Sequence, residues 1–429
     1  MTTASPLTFA SDAPAWLAFA VVLLAPLALA GVALINTGLG RSRSAAQSFL
    51  GFLAIFSIAA ICFAALGSGF AGWGGHAAFL LAGKQWDWIG TGPWMLRDFS
   101  SAPVEMQLGL LFQLLAVGMC ALVPWGAGAD RWRLAGGCAC AAVEGCIVFP
   151  LAAHWQWGGG WLAQLDRNFG LAAGFVDAAG GAAVHVLGGL SALVVIWIIG
   201  PRKGKFPKEG LATAMPGHNA IYVLFGCALA LVGWLAWNTA GAMLWLHTGS
   251  AGLVTTALST VLAATGAFVA TLVVTRIRFG KPDASLCANG WLAGLVTSSG
   301  CAPLVSPGAA LLAGMAIGVA TPFLVEALEL VLSIDDPSGA IAVHAGGGIW
   351  GLFVAGLFAH PAGQLLAQMV GIAALLGILF PVTFLLFTLL NRVIPFRVDP
   401  DGERLGMDLH ELGGGAYPEF VVHRDESYR

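Results

Sequence analysis

AAVHVLGGL (182–190) and IAVHAGGGI (341–349) share one frame: a histidine follows small and β-branched apolar residues and precedes a glycine-rich run. The two histidines, His185 and His344, lie 159 residues apart, each inside an apolar segment. An imidazole in hydrocarbon is costly, so its repeated placement predicts a polar path through a membrane protein built from two halves.

Composition points the same way. Of 429 residues, 58% are hydrophobic and 10% charged, with a mean hydropathy of +0.84, which leaves too little polar surface for a water-soluble chain of this size. Cys62, Cys120, Cys138, Cys140, Cys146 and Cys227 lie in apolar runs without metal-ligand spacing and read as small core residues. No metal or cofactor is expected. The net charge of −3, with no basic block, argues against a nucleic-acid surface.

Long apolar runs fall near 14–36, 46–71, 106–126, 134–157, 180–200, 219–246, 250–275, 286–304, 308–333, 339–359 and 365–391. They predict eleven helices, each near the roughly 20 residues that cross a bilayer core. No Lys or Arg precedes Arg41, so the basic flank of a secretory signal is missing and the run after Trp16 reads as the first span. Threaded through eleven spans, sixteen of the nineteen basic residues collect on one side: Arg41, Arg43, Arg131, Arg133, Arg202, Lys203, Lys205, Lys208, Arg276, Arg278, Lys281, Arg392, Arg397, Arg404, Arg424 and Arg429. Only Lys84, Arg97 and Arg167 fall opposite. Basic residues mark the cytoplasmic side, which puts the amino terminus outside and the carboxyl-terminal tail in the cytoplasm.

His185 lies in the fifth span and His344 in the tenth, so about 14–200 and about 219–359 read as two repeats, followed by a last helix at about 365–391. Five crossings per repeat is odd, so the second copy enters inverted, and such repeats meet at a mid-membrane site. The expected fold is an all-α integral membrane protein with eleven transmembrane helices, two inverted five-helix repeats plus a final helix. The membrane domain is 1–392 and the tail 393–429. Gly180, Gly181, Gly188 and Gly189 in span five, and Gly346, Gly347, Gly348 and Gly351 in span ten, predict close helix approach.

Around these frames, DAAGGAAVHVLGGLSALV (177–194) and DDPSGAIAVHAGGGIWG (335–351) resemble the two pore-histidine segments of the ammonium transporter family (Amt/Mep/Rh). FQ (112–113), WGGGWL (157–162), GWLAWN (233–238), SPGAALLAG (306–314) and GMDLHELGGGAYP (406–418) extend the likeness in the family's order over nearly the whole chain. The resemblance implies a homotrimer in the bacterial inner (plasma) membrane, with one narrow apolar pore per subunit. Carried over by position, Phe112 and Trp157 belong to an outer vestibule that recruits ammonium, Asp177 is the conserved acid, and His185 and His344 are the twin pore histidines. The chain departs from the pattern at three places: Ala116 stands at the outer-gate Phe, Trp237 at the inner-gate Phe before Asn238, and Gly241 at the vestibular Ser. A smaller Ala116 and Gly241 predict a wider entrance.

A bare ammonium ion in a low-dielectric pore loses far more solvation than ammonia, so burial shifts its equilibrium towards the neutral form. Potassium has no proton to lose. An aromatic face such as Trp157 attracts a cation by roughly 0.5–2 kcal/mol, enough for recruitment without tight binding. Two neutral imidazoles each offer one donor and one acceptor, and can pass a proton by exchanging roles. Asp177 either stabilises the incoming cation or caps its helix, and its place at a helix start favours the cap.

Glu144 in span four is read either as a pore group or as a protonated acid bonded within the trimer interface, the second being favoured. Glu326, Glu329, Asp335 and Asp336 are expected to order their loop and the tail. Trp86, Trp88 and Trp94 are expected as membrane-interface anchors. The tail's likeness to the family implies contacts with neighbouring subunits and control by a PII-type signal protein. Ammonium transport is the leading function. An ammonium receptor with little flux, or transport of another small amine, are the competing ones; within these 429 residues no fused output domain is read, which weighs against the receptor. Two histidines and one Asp supply neither a nucleophile nor a metal shell, so no enzyme is expected.

Overall fold

The computed structural model describes residues 12–72, 76–359 and 363–417. Long helices follow one another as α1 (Ala13–Leu39), α2 (Ser42–Phe70), α3 (Val104–Ala127), α4 (Leu134–Gln156), α5 (Gly181–Ile199), α6 (Ala220–Leu246), α7 (Ser250–Phe279), α8 (Ala284–Cys301), α9 (Pro307–Val331), α10 (Ile341–Phe358) and α11 (Gln364–Val393). Each apolar run of the sequence falls on one of them, and 10 are long and apolar enough to cross a membrane. The remaining helix, α8, carries Asn289, Thr297, Ser298 and Ser299 and buries them against other helices.

Several helix starts follow from their first residues. Asn219 Oδ1 accepts from the Tyr222 N–H at 3.0 Å ahead of α6, and Asp283 Oδ1 from the Leu286 N–H at 2.8 Å ahead of α8. At α9, Ser306 precedes Pro307, whose missing N–H is no loss at a first helical position.

A neighbour pattern recurs with a shift of five helices. α2 packs on α3 and α4, and α3 on α5; α7 packs on α8 and α9, and α8 on α10. α1 packs against α6, and α5 crosses α10. Glycine permits that crossing: a Cβ on Gly189 would stand 2.4 Å from the Ala345 nitrogen, and one on Gly348 2.7 Å from the Gly181 oxygen. The two helices run antiparallel, because Arg202, just past the end of α5, pairs with Asp335, just ahead of α10.

The all-helical expectation needs a correction. Between α2 and α3 an antiparallel hairpin pairs β1 (His76–Leu81) with β2 (Lys84–Gly90), turning at Ala82 and Gly83, both with positive φ as a two-residue hairpin turn requires. Nor do Trp86 and Trp88 stand alone as interface anchors: they cluster with Trp155 and Trp161, with Trp88–Trp161 ring centroids 5.2 Å apart. Trp94 lies 4.8 Å from Phe70.

The described part of the tail is tied to its own chain. Asp408 accepts from the Ala46 and Gln47 N–H groups at 3.1 and 2.8 Å, Glu411 from the Leu134 N–H at 3.0 Å, and Glu403 from the Lys203 N–H at 2.6 Å. These bonds gather the starts of α2 and α4 and the connection after α5 on one face of the helical bundle.

Candidate functional site

Both histidines sit in widened turns that open their helices, Gly181–Val186 in α5 and Ile341–Gly346 in α10, each of π-helical form. Such turns re-aim side chains and recur at functional positions. Each turn is held by an aspartate. Asp177 Oδ1 accepts from the Gly180 N–H at 2.9 Å, and Oδ2 from the Ala182 and Ala183 N–H groups at 3.0 Å each. Asp336 Oδ2 accepts from the Ile341 N–H at 2.8 Å and Oδ1 from the Ser338 hydroxyl at 3.1 Å. Burial pushes the Asp177 carboxyl up to about 6, against the backbone donors that favour its charged form.

At the crossing, His185 Nδ1 and His344 Nδ1 are 3.2 Å apart, with ring centroids at 5.2 Å and planes 27° from parallel. His185 is fully buried and His344 3% exposed. When both rings are neutral, a hydrogen bond through these nitrogens requires opposite tautomers, one ring protonated on Nδ1 and the other on Nε2. His185 Nε2 meets no hydrogen-bond partner among the described residues. His185 also stacks against Trp234, centroids 5.4 Å apart and planes 14° from parallel.

A polar chain fixes that indole. Trp234 Nε1 donates to Ser299 Oγ at 2.9 Å, Ser299 Oγ donates to Asn238 Oδ1 at 3.0 Å, and Asn238 Nδ2 donates to Thr260 and Ser298 hydroxyls at 2.9 and 2.8 Å. Asn238 therefore ties α6 to α7 and α8 and is linked to the histidine pair through Ser299 and Trp234.

Trp237, one turn further along α6, donates through Nε1 to the Ala179 carbonyl at 2.7 Å and lies 5.0 Å from Phe112. Trp157 donates to the Asp177 carbonyl at 2.8 Å. Its indole is 5.9 Å from Phe112 and 5.1 Å from Trp245, whose plane lies 6° from parallel. Phe112, Trp157, Trp237 and Trp245 thus form one aromatic cluster ahead of α5. Ala116, one turn from Phe112, is fully buried. Gly241 does not widen the entrance as expected: a Cβ there would stand 2.5 Å from the Ala178 oxygen and 2.8 Å from Ala179 Cβ, so the turn before α5 fills that space.

Glu144 lies inside its own subunit and not in a trimer interface as expected: it is fully buried against α3 and α5, accepting from Ser191 Oγ at 2.5 Å and Cys120 Sγ at 3.7 Å. On the tail face, Arg202 pairs with Asp335 at 2.8 Å and Asp130 at 3.0 Å, and Arg131 Nη2 donates to the Asp335 carbonyl at 2.7 Å. Burial raises the Asp335 carboxyl, but Arg202 and Arg131 outweigh it and hold the group at about 2. On α9, Glu326 pairs with Arg278 of α7 at 2.7 Å and Glu329 with Lys205 of the α5–α6 connection at 2.8 Å. The expectation that these acids order the tail is not met at Glu326 and Glu329, whose ion pairs among the described residues reach α7 and the α5–α6 connection.

Trp234 and Trp245 were not singled out by sequence reasoning, and Asp336, expected only to order its loop and the tail, was not read as the counterpart of Asp177. For Asp336 the signal is present: an acid stands eight residues before each histidine. Trp234 and Trp245 carry no such mark, because one helix holds several tryptophans and only packing distinguishes them.

The sequence model of the Ammonium Transporter Family matches residues 15–417. Ammonium transporter Amt2 of Archaeoglobus fulgidus is 32% identical over 419 residues, covering 92% of this chain and 86% of that protein. The ammonium transporter of Bacillus subtilis is 28% identical over 417 residues, covering 94% and 98%. Among solved structures, one described as a sensor Amt protein superposes with a TM-score of 0.84 at 26% identity over 93% of this chain and 98% of that one. Candida albicans Mep2 gives 0.79 at 25% identity over 95% and 91%. With the family's motifs in order and matches spanning nearly its whole length, the chain belongs to the ammonium transporter family, whose members are transporters and not enzymes.

Proposed function

We propose that this protein conducts ammonium, as ammonia with a proton or as net ammonium, through a largely apolar pore where α5 crosses α10. The Nδ1–Nδ1 contact of 3.2 Å between two buried histidines carries this reading. Deprotonation is favoured where solvation is lost, and the paired imidazoles offer the proton a path that the hydrocarbon around them does not. Phe112 and Trp157 form the vestibule, Trp237 stands between it and the histidines, and Asp177 acts mainly by holding the turn that aims His185. Ala116 and Gly241 leave the vestibule without the gate ring and hydroxyl that the family resemblance implies. Asn238 supports the gate from behind.

The recurring helix neighbours support two inverted five-helix repeats, with α8 as the remaining span of eleven. The gathering of basic connections on the tail face supports a cytoplasmic carboxyl terminus and an external amino terminus. We assign the chain to the bacterial inner (plasma) membrane as a homotrimer, with a tail positioned to answer a PII-type protein.

The likeness to a sensor Amt protein favours a second reading, an ammonium receptor with little flux. Purified protein in liposomes separates the two. An ammonium gradient should change internal pH in protein-containing vesicles while a potassium gradient does not; saturable ammonium binding with no pH change would favour the receptor.

A further inference from the structure

Trp245 closes α6 beside the vestibule, and its indole lies flat over Trp157 at 5.1 Å, where a cation attracted to that ring face would lodge. Its own Nε1 is buried and meets no acceptor among the described residues. The neighbouring position that could supply a hydroxyl acceptor is Gly241, where the Ala178 oxygen leaves no room for a side chain. The three observations concern different atoms and agree in sign: a cation-binding face is covered, an acceptor is missing and a donor is unspent.

An ammonium ion has four N–H donors and no lone pair, so it can accept nothing from an indole N–H. Ammonia has a lone pair and can. Resting on the vestibule assignment above, we propose that Trp245 sets the species taken at the pore entrance: it covers one cation face of Trp157 and offers a hydrogen bond to a neutral amine. Selection for the deprotonated form then begins at the vestibule, before the histidines.

Calorimetric titration of the purified full-length protein at one mildly alkaline pH tests this, with ammonium chloride and tetramethylammonium chloride as probes. Tetramethylammonium is a permanent cation that suits aromatic faces and has neither proton nor lone pair. The wild type should bind the ammonia present in the ammonium chloride solution and refuse tetramethylammonium. Trp245→Phe, which keeps the covering ring and removes the donor, should weaken ammonia binding roughly fivefold and still refuse the quaternary ion. Trp245→Ala should take up tetramethylammonium on the uncovered Trp157 face. Ammonia binding by Trp245→Phe equal to the wild type, absence of ammonia binding in the wild type, or tetramethylammonium bound by the wild type as tightly as ammonia, would each overturn the proposal. Refusal of tetramethylammonium by a folded Trp245→Ala would overturn its covering role. Binding is read without flux, so vesicles that bind as described but do not transport would count against the transport reading and leave the role of Trp245 standing.

Discussion

Asp177 and Asp336 stand 159 residues apart, the same separation as His185 and His344, and each holds the widened turn that carries its histidine. The imidazole pair is therefore aimed from both faces of the bundle by the same device, a carboxylate accepting backbone N–H groups at the start of an antiparallel helix. If that holding role dominates, Asp177→Ala leaves three backbone donors buried without their acceptor, at about 1–3 kcal/mol each. It should sharply lower the melting temperature in detergent. Asp177→Asn keeps one oxygen acceptor, should melt between the two, and should retain ammonium flux. Loss of flux at unchanged stability in Asp177→Asn would show that the charge itself is used.

Gly241 gives a second prediction. Restoring a hydroxyl with Gly241→Ser pushes a side chain into the Ala178–Ala179 backbone, and overpacking of this kind costs about 1–3 kcal/mol. Thermal melts should show a destabilised protein, and titration should show no gain in ammonium affinity. A tighter-binding, equally stable variant would mean that the turn before α5 yields easily.

The tail-face cluster predicts a pH dependence. Asp335 is held at about 2 from an ordinary 3.8, so its ion pairs stabilise the folded state fully above the unfolded value and lose that effect as pH falls through the folded one. The shift corresponds to roughly 2 kcal/mol at neutral pH. Asp335→Asn should melt well below the wild type at pH 7, and the gap should narrow once the pH drops below about 4. A gap of constant size across that range would place the loss in packing instead of charge.

How much of this was legible beforehand depended on how sharply a residue contrasts with its surroundings. His185, His344 and Glu144 stand out because ionisable groups are rare in apolar runs, and the helices that bear them were visible from hydropathy alone. The hairpin at 76–90 was missed because a reading tuned to long apolar runs passes over a short strand, although Gln85, Trp86, Asp87 and Trp88 alternate as one should. Gly241 looked like added space, since a missing side chain says nothing about which backbone moves in to fill it. Trp245 could not be told from its neighbours on α6, because stacking on Trp157 is a relation between helices and leaves no periodic trace in either.

The most direct test is the current evoked by an ammonium pulse on a supported membrane of proteoliposomes, with the wild type, His185→Ala and His344→Ala compared at equal protein content. A proton relay through the pair predicts a wild-type current under ammonium and none under potassium, with the ammonium current lost or its selectivity over potassium relaxed in each variant. Undiminished and still selective currents in both variants would contradict it.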